Sequence, residues 1–286
     1  MPNAIVSSLT RLVTPDRTKQ LKKRLMGDWP KGRELRSLLG AKAAEQVFDI
    51  VLESGIVKPQ IAMKTNTDDN VLGTIDLFLE LEIANCTRTM RTIHQAAGDK
   101  LTHGKFAALI GANTMPEANY GALPHESRER KAARWVCNAS NTTRGNAAEI
   151  QIIEQIINLA VLLNTPMHLL TGVDTVNKLL IAGGGRTEAR GPVVLPMASP
   201  LPSSPGGRAM LEASIRFIEG RTPGTHGCQW VDLGCYLLGA AIGCHGFPDA
   251  NGRTGRVLYA ICQVRSGGFA GLTTAGEELM HGLPHQ

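Results

Sequence analysis

Residues 149–164, EIQIIEQIINLAVLLN, set isoleucine or leucine on nearly every side of a helix. A helix that is apolar all round must be buried on more than one face. The chain therefore has to supply other helices to cover it, and the periodicity provides them. Residues 40–57 bring Ala44, Val47, Phe48, Val51 and Leu52 onto one face at 3–4 spacing. Further helical patterns run from Leu72 to His94, Ser127 to Val136, Ala209 to Glu219 and Gln229 to Gly243. With only 4% aromatic residues among 43% hydrophobic ones, the core has to be built from Leu, Ile, Val and Ala. The expected fold class is mainly α. The exception lies between Ala182 and Arg208. There Gly183-Gly184-Gly185 leads into Arg186 to Leu195, a short hairpin by its β-leaning residues Pro192, Val193, Val194 and Leu195, with a Pro-rich exit. Gly, Pro and Asn accumulate between Gly111 and Pro124, which places a domain boundary near residue 130. No repeat of 20–50 residues appears.

Composition excludes some classes. No apolar run reaches the roughly 18 residues needed to cross a bilayer, and the start, MPNAIVSSLTRLVTPDR, lacks the apolar stretch of a secretory signal. Poor in acids and carrying Ser and Arg, it resembles an organelle-targeting or effector-secretion leader. The six cysteines form no CxxC pair, so they are expected as reduced core thiols of a cytosolic compartment. The net charge of +5 is mild. Eight Lys/Arg fall between Arg17 and Arg36, against Asp28 and Glu34. Such a run is either a polyanion or membrane contact or a solvated helix face beside the Trp29-Pro30-Lys31-Gly32 turn. Without aromatic interleaving beyond Trp29, the solvated face is the expectation, and no nucleic-acid motif is present.

Chemistry concentrates in residues 245–256, HGFPDANGRTGR. The apolar helix Trp230–Cys244 stops, a Gly/Pro/Asn-rich loop follows, and a new helix starts near Gly252 and runs through Cys262. Helix, tight loop, helix aims the free backbone N–H groups of the loop and of the next first turn at one point, a nest for phosphate. Arg253 and Arg256 sit three apart, so both can face one ligand. Arginine at a helix N-terminus opposes the macrodipole, so two of them call for a compensating anion. Asp249 supplies a hard oxygen suited to Mg²⁺ beside phosphates. His245 can take a proton near neutral pH.

This order resembles the signature of the Fic family, His-Pro-Phe-x-Asp/Glu-Gly-Asn-Gly/Lys-Arg-x-x-Arg. His245, Phe247, Asp249, Asn251, Gly252, Arg253 and Arg256 match it. Gly246 replaces the usual Pro. Ala250 replaces the usual Gly, as in the Doc branch, whereas Gly252 and Arg256 are similar to the nucleotidyl-transferring Fic enzymes rather than to Doc kinases. The resemblance spans about residues 136–267. It implies a Fic-type helical bundle with a short β-hairpin flap, in a catalytic domain covering 131–286, and leaves residues 1–130 as a helical region without a role.

By the same resemblance, His245 deprotonates a target hydroxyl and Asp249 holds Mg²⁺ on ATP. Ala250, Asn251, Gly252 and Arg253 cradle the phosphates, and Arg256 steadies the γ-phosphate or the leaving group. AMP then passes to a Ser, Thr or Tyr of a protein that the flap (Arg186, Val193, Val194, Leu195) holds by strand addition. UTP, CDP-choline and Doc-like phosphate transfer are the alternative donors in the family, and a non-catalytic binding module is the alternative class. An antitoxin or a host small GTPase is the kind of partner implied, with the protein either cytoplasmic or delivered into a host cell as an effector. Many family members also carry an inhibitory helix, Ser/Thr-x-x-x-Glu-Gly/Asn, whose Glu pairs with the last Arg of the motif. Ser140 to Asn146 fits that pattern with Arg144 at the Glu position, followed by Gly145. Arg144 beside Arg256 would repel rather than pair.

Overall fold

The computed structural model describes residues 14–98, 104–140, 143–183, 200–219 and 227–283. Its architecture is helical, with one isolated bridge between Thr114 and Leu272 among the described residues. Two compact units form, one from the described parts of 1–88 and 192–210, the other from those of 89–191 and 211–286. Residues 89–130 thus pack with the C-terminal half.

In the first unit, α1 (Pro15–Met26) and α2 (Pro30–Leu39) each start with Pro at the first turn, where its missing N–H costs nothing. Next come α3 (Ala41–Leu52), α4 (Lys58–Ala62) and the 30-residue α5 (Asp68–Ala97), which carries on into the second unit. The expected face of α3 is the buried one: Ala44, Val47, Phe48, Val51 and Leu52 join Leu21, Leu25, Leu35, Val71, Ile75 and Phe78 in one core. The basic run is not simply a solvated face. Arg17 bonds Asp68 at 2.9 Å and the carbonyls of Ile61, Met63 and Asn66, and Lys22 meets Glu45 and Asp49. Arg24 pairs with Asp69 and lies over Trp29, Lys31 pairs with Glu34 and approaches Glu80, and Arg36 reaches the Gly27 carbonyl. Five of the eight cations therefore tie the unit's own helices together.

The second unit continues with α6 (Ala107–Ala112), a 3₁₀ turn at Glu117–Tyr120, α7 (Arg128–Asn138), α8 (Ala147–Leu162) and α9 (Leu170–Gly183). After α10 (Ser204–Ile218), shared with the first unit, come α11 (Gly227–Cys244), α12 (Asn251–Arg265) and α13 (Thr274–His281). The helix buried all round is α12, of which everything but Gly252 and Arg265 is buried. Its approach to α11 runs over Gly255, where a Cβ would stand 3.1 Å from the Leu238 carbonyl oxygen. The expectation of burial on several faces fails for α8: Ile150, Ile153, Ile156 and Ile157 face inward, but Leu159 is 44% and Leu162 81% exposed. Packing on α7, α9 and α12 leaves its remaining face uncovered.

The hairpin expected at Arg186–Leu195 lies outside the described residues. Cys86, Cys137, Cys235, Cys244 and Cys262 are unbridged and buried. Burial pushes the thiols of Cys137, Cys244 and Cys262 up to about 12, so they pack as apolar groups. No described helix is long and apolar enough to cross a membrane.

Candidate active site

The site begins where the apolar α11 runs out at Cys244. His245 takes a left-handed backbone (φ 55°), and so does Ala250 (φ 63°), the residue that starts α12. Two non-glycine residues with positive φ bracket a five-step turn, each at a cost of about 1–3 kcal/mol. Neighbouring contacts hold the turn in that shape. Asn251 closes it from inside: Oδ1 accepts from Phe247 N at 2.9 Å, and Nδ2 donates to Phe247 O at 2.8 Å. Phe247 is itself buried. From outside, Asn177 on α9 donates Nδ2 to the Asp249 carbonyl and to Thr254 Oγ1, both at 3.0 Å. The amide of Asn251 is thus spent on the loop backbone, shaping the loop rather than reaching out from it.

No side chain caps α12. The N–H groups of Asn251, Gly252 and Arg253 therefore point out of its first turn without an intrahelical partner, while Thr254 N makes the first helical bond, to Ala250 O at 2.7 Å. These are the free N–H groups expected from the sequence, and such a helix start suits an anion. Asp249 stands at its edge and accepts the Ala250 N–H on Oδ1 at 2.6 Å. No cluster of three or more His, Cys, Asp or Glu able to hold a metal exists among the described residues. One carboxylate next to a phosphate nest still fits Mg²⁺, which takes one or two carboxylates together with substrate phosphates.

Half-buried His245 has its pKa lowered by desolvation, an effect the nearby Asp249 charge opposes. It is therefore neutral at physiological pH, with a ring nitrogen able to accept a proton.

Both arginines are buried to 6% exposure, and neither lacks a counter-charge. Arg253 Nη1 stands 3.7 Å from Glu149 Oε2, in the first turn of α8. Arg256 is gripped by Glu277 of α13: Nε lies 2.9 and 3.0 Å from the two carboxylate oxygens, and Nη2 lies 2.7 Å from Oε2. The compensating anion demanded by two arginines near a helix start is thus supplied by the protein itself.

Thr143 to Gly145 form a turn between α7 and α8, not a helix. Asn146 accepts from the N–H groups of Ala148 and Glu149 and so starts α8 just after the turn, while Gly145 has φ 71°. Arg144 is exposed and donates Nε to the Asn138 carbonyl, and Ser140 lies just past α7. The partner of Arg256 comes from the opposite end of the chain. Sequence reasoning missed Glu277, Glu149 and Asn177. A signal for the first was present, since the Ser/Thr-x-x-x-Glu spacing recurs at Thr273–Glu277. The flap residues Arg186, Val193, Val194 and Leu195 lie outside the described residues.

Compared with known proteins, the fold has a clear counterpart. The crystal structure of the Fic-domain-containing AMPylator VopS matches with a TM-score of 0.71 at 25% identity, over 98% of this chain and 87% of that one. Protein adenylyltransferase VopS of Vibrio parahaemolyticus serotype O3:K6 (strain RIMD 2210633) is 28% identical over 255 residues, 88% of this chain. The chain is similar to VopS in both sequence and fold. It spans 61% of that curated relative's length, and no family model matches the sequence. The likeness to VopS extends well past the motif region, through the first unit as well.

Proposed function

We propose that this protein transfers AMP from ATP to a Ser, Thr or Tyr hydroxyl of a target protein. The observation that carries the reading is the pairing of a neutral His245 with an uncapped helix start five residues on, in a chain related to a protein adenylyltransferase. That relationship favours ATP over UTP or CDP-choline as donor. Gly252 and Arg256 favour attack at the α-phosphorus over Doc-like transfer of the γ-phosphate.

The first-turn N–H groups of α12 receive the phosphates, with the loop held to shape by Asn251 and Asn177. Asp249 is the residue placed to hold Mg²⁺, which when bound offsets phosphate charge. His245 accepts the proton of the target hydroxyl as its oxygen bonds to the α-phosphorus. The bond from that phosphorus to the bridging oxygen breaks, and pyrophosphate departs. Positioning and charge neutralisation supply most of the barrier reduction. Arg253 and Arg256 flank the nest, and Arg186, Val193, Val194 and Leu195 belong to the segment we assign to the target backbone.

The test is tandem mass spectrometry of a protein mixture incubated with this enzyme, ATP and Mg²⁺. AMP esters on hydroxyl side chains, absent with His245→Ala, are expected. Phosphate esters, or adducts unchanged by that substitution, would overturn the reading.

A further inference from the structure

Arg256 is held on one edge only. Glu277 engages Nε and Nη2, and the remaining nitrogen, Nη1, lies on the far side of the planar guanidinium. That nitrogen sits 3.1 Å from the point where a Cβ on Gly252 would stand, in the first turn of α12. Gly252 leaves the space open, and the fork geometry of arginine turns a fixed edge into a fixed direction for the opposite nitrogen.

The carboxylate doing the holding is anchored in turn. Thr273 N donates to Asn113 O and Met115 N to Gly271 O, both at 2.8 Å, just ahead of α13. The Thr273 hydroxyl accepts from Gly276 N, and a Cβ on Gly276 would stand 2.7 Å from Asn113 Cβ. Further along α13, the Met280 carbonyl presses against Gly239 of α11. Glu277 is 1% exposed. With its helix docked at both ends and no solvent to turn into, the carboxylate could leave Arg256 only by stranding a buried charge.

We propose that Glu277 is a positioning residue that aims Arg256 Nη1 into the nest, so that the arginine meets the terminal phosphates of a bound nucleotide while still paired. The proposal rests on the nucleotide chemistry given above. It opposes the role that Ser/Thr-x-x-x-Glu spacing suggests, in which the carboxylate competes with the nucleotide for the arginine.

The test compares the full chain with Glu277→Gln and Glu277→Asp by titration calorimetry, using α,β-methylene-ATP with Mg²⁺ and, separately, AMP. Melting curves first establish which variants are folded. In Glu277→Gln the methylene analogue should bind about ten- to a hundredfold more weakly, the loss of a charge-assisted hydrogen bond. AMP, which lacks the terminal phosphates, should bind unchanged. Glu277→Asp keeps the charge but draws the guanidinium back by a methylene, and should weaken the analogue in the same direction. It decides the matter alone if the Gln variant does not fold. Equal or tighter binding of the analogue by a folded variant would make Glu277 a competitor and overturn the proposal. A parallel loss for AMP would overturn it too, because it would mark a purely structural role. If the unsubstituted chain bound neither nucleotide, the underlying nucleotide reading would fall, and the two failures are thereby separated.

Discussion

Replacing Asn177 by Leu keeps the branched outline of the side chain and removes the buried donor that latches α9 to the motif loop. Asn177 is 4% exposed and Thr254 fully buried, so water cannot take over the lost bond to the Thr254 hydroxyl. The Asp249 carbonyl loses its bond from Asn177 at the same time. Stranding a buried polar group costs about 1–3 kcal/mol. Asp249 is half-buried, so its carbonyl should sit low in that range, and the two losses together should come to roughly 2–4 kcal/mol. The carbonyl belongs to the residue whose carboxylate is proposed to hold the metal, and it precedes the left-handed Ala250, so its release lets the nest shift. A displacement of about 1 Å in a positioned site can cost on the order of 10²-fold in rate. Urea denaturation and AMP transfer from α-labelled ATP should be measured on the same preparation. A change below about 0.5 kcal/mol, the size of an ordinary surface substitution, with transfer undiminished would refute the latch.

Other substitutions probe separate parts of the account. Substituting His245→Ala should lower transfer by about 10²–10⁴-fold, the range for a general base. Because burial lowers the His245 pKa from 6.5, the acid limb of the wild-type pH–rate profile should lie below 6.5; a limb above it would contradict the assignment. The same depression predicts that the contribution of His245 to stability is full above 6.5 and lost as the pH falls through the lowered value, because the unfolded chain protonates first. Burial raises the Glu82 pKa above 4.5 despite hydrogen bonds from Ser203. Its contribution should therefore decline as the pH rises from 4.5 through the raised value, and Glu82→Gln should flatten that part of the denaturation profile. Filling the α11–α12 contact with Gly255→Val should destabilise by about 1–3 kcal/mol, read from chemical denaturation, with strain as the cause.

What the sequence made legible was local. Helical periodicity located α3, α8, α10 and α11 to within a few residues, because apolar spacing directly records which face is buried. The motif located the loop and the start of α12 because His245, Asp249 and the arginines lie within one turn–helix unit. The partners of those residues were not legible. Glu149, Asn177 and Glu277 come from α8, α9 and α13, and local spacing does not record which helices meet in space. Thr143 to Asn146 show the converse: a loose pattern suggested a helix where a turn and the Asn146 cap set a helix start. The ion pairs of the basic run were not legible for a related reason, since Asp68, Asp69, Glu45 and Asp49 meet it from helices distant in sequence.

On the proposed mechanism the group transferred is AMP, through attack at the α-phosphorus with His245 as base. Parallel reactions with ATP labelled at the α or the γ phosphate, each run with wild type and His245→Ala, test it most directly. The account predicts protein-bound label from the α position alone, and none in the His245 variant. Label arriving from the γ position, or persisting without His245, would contradict it.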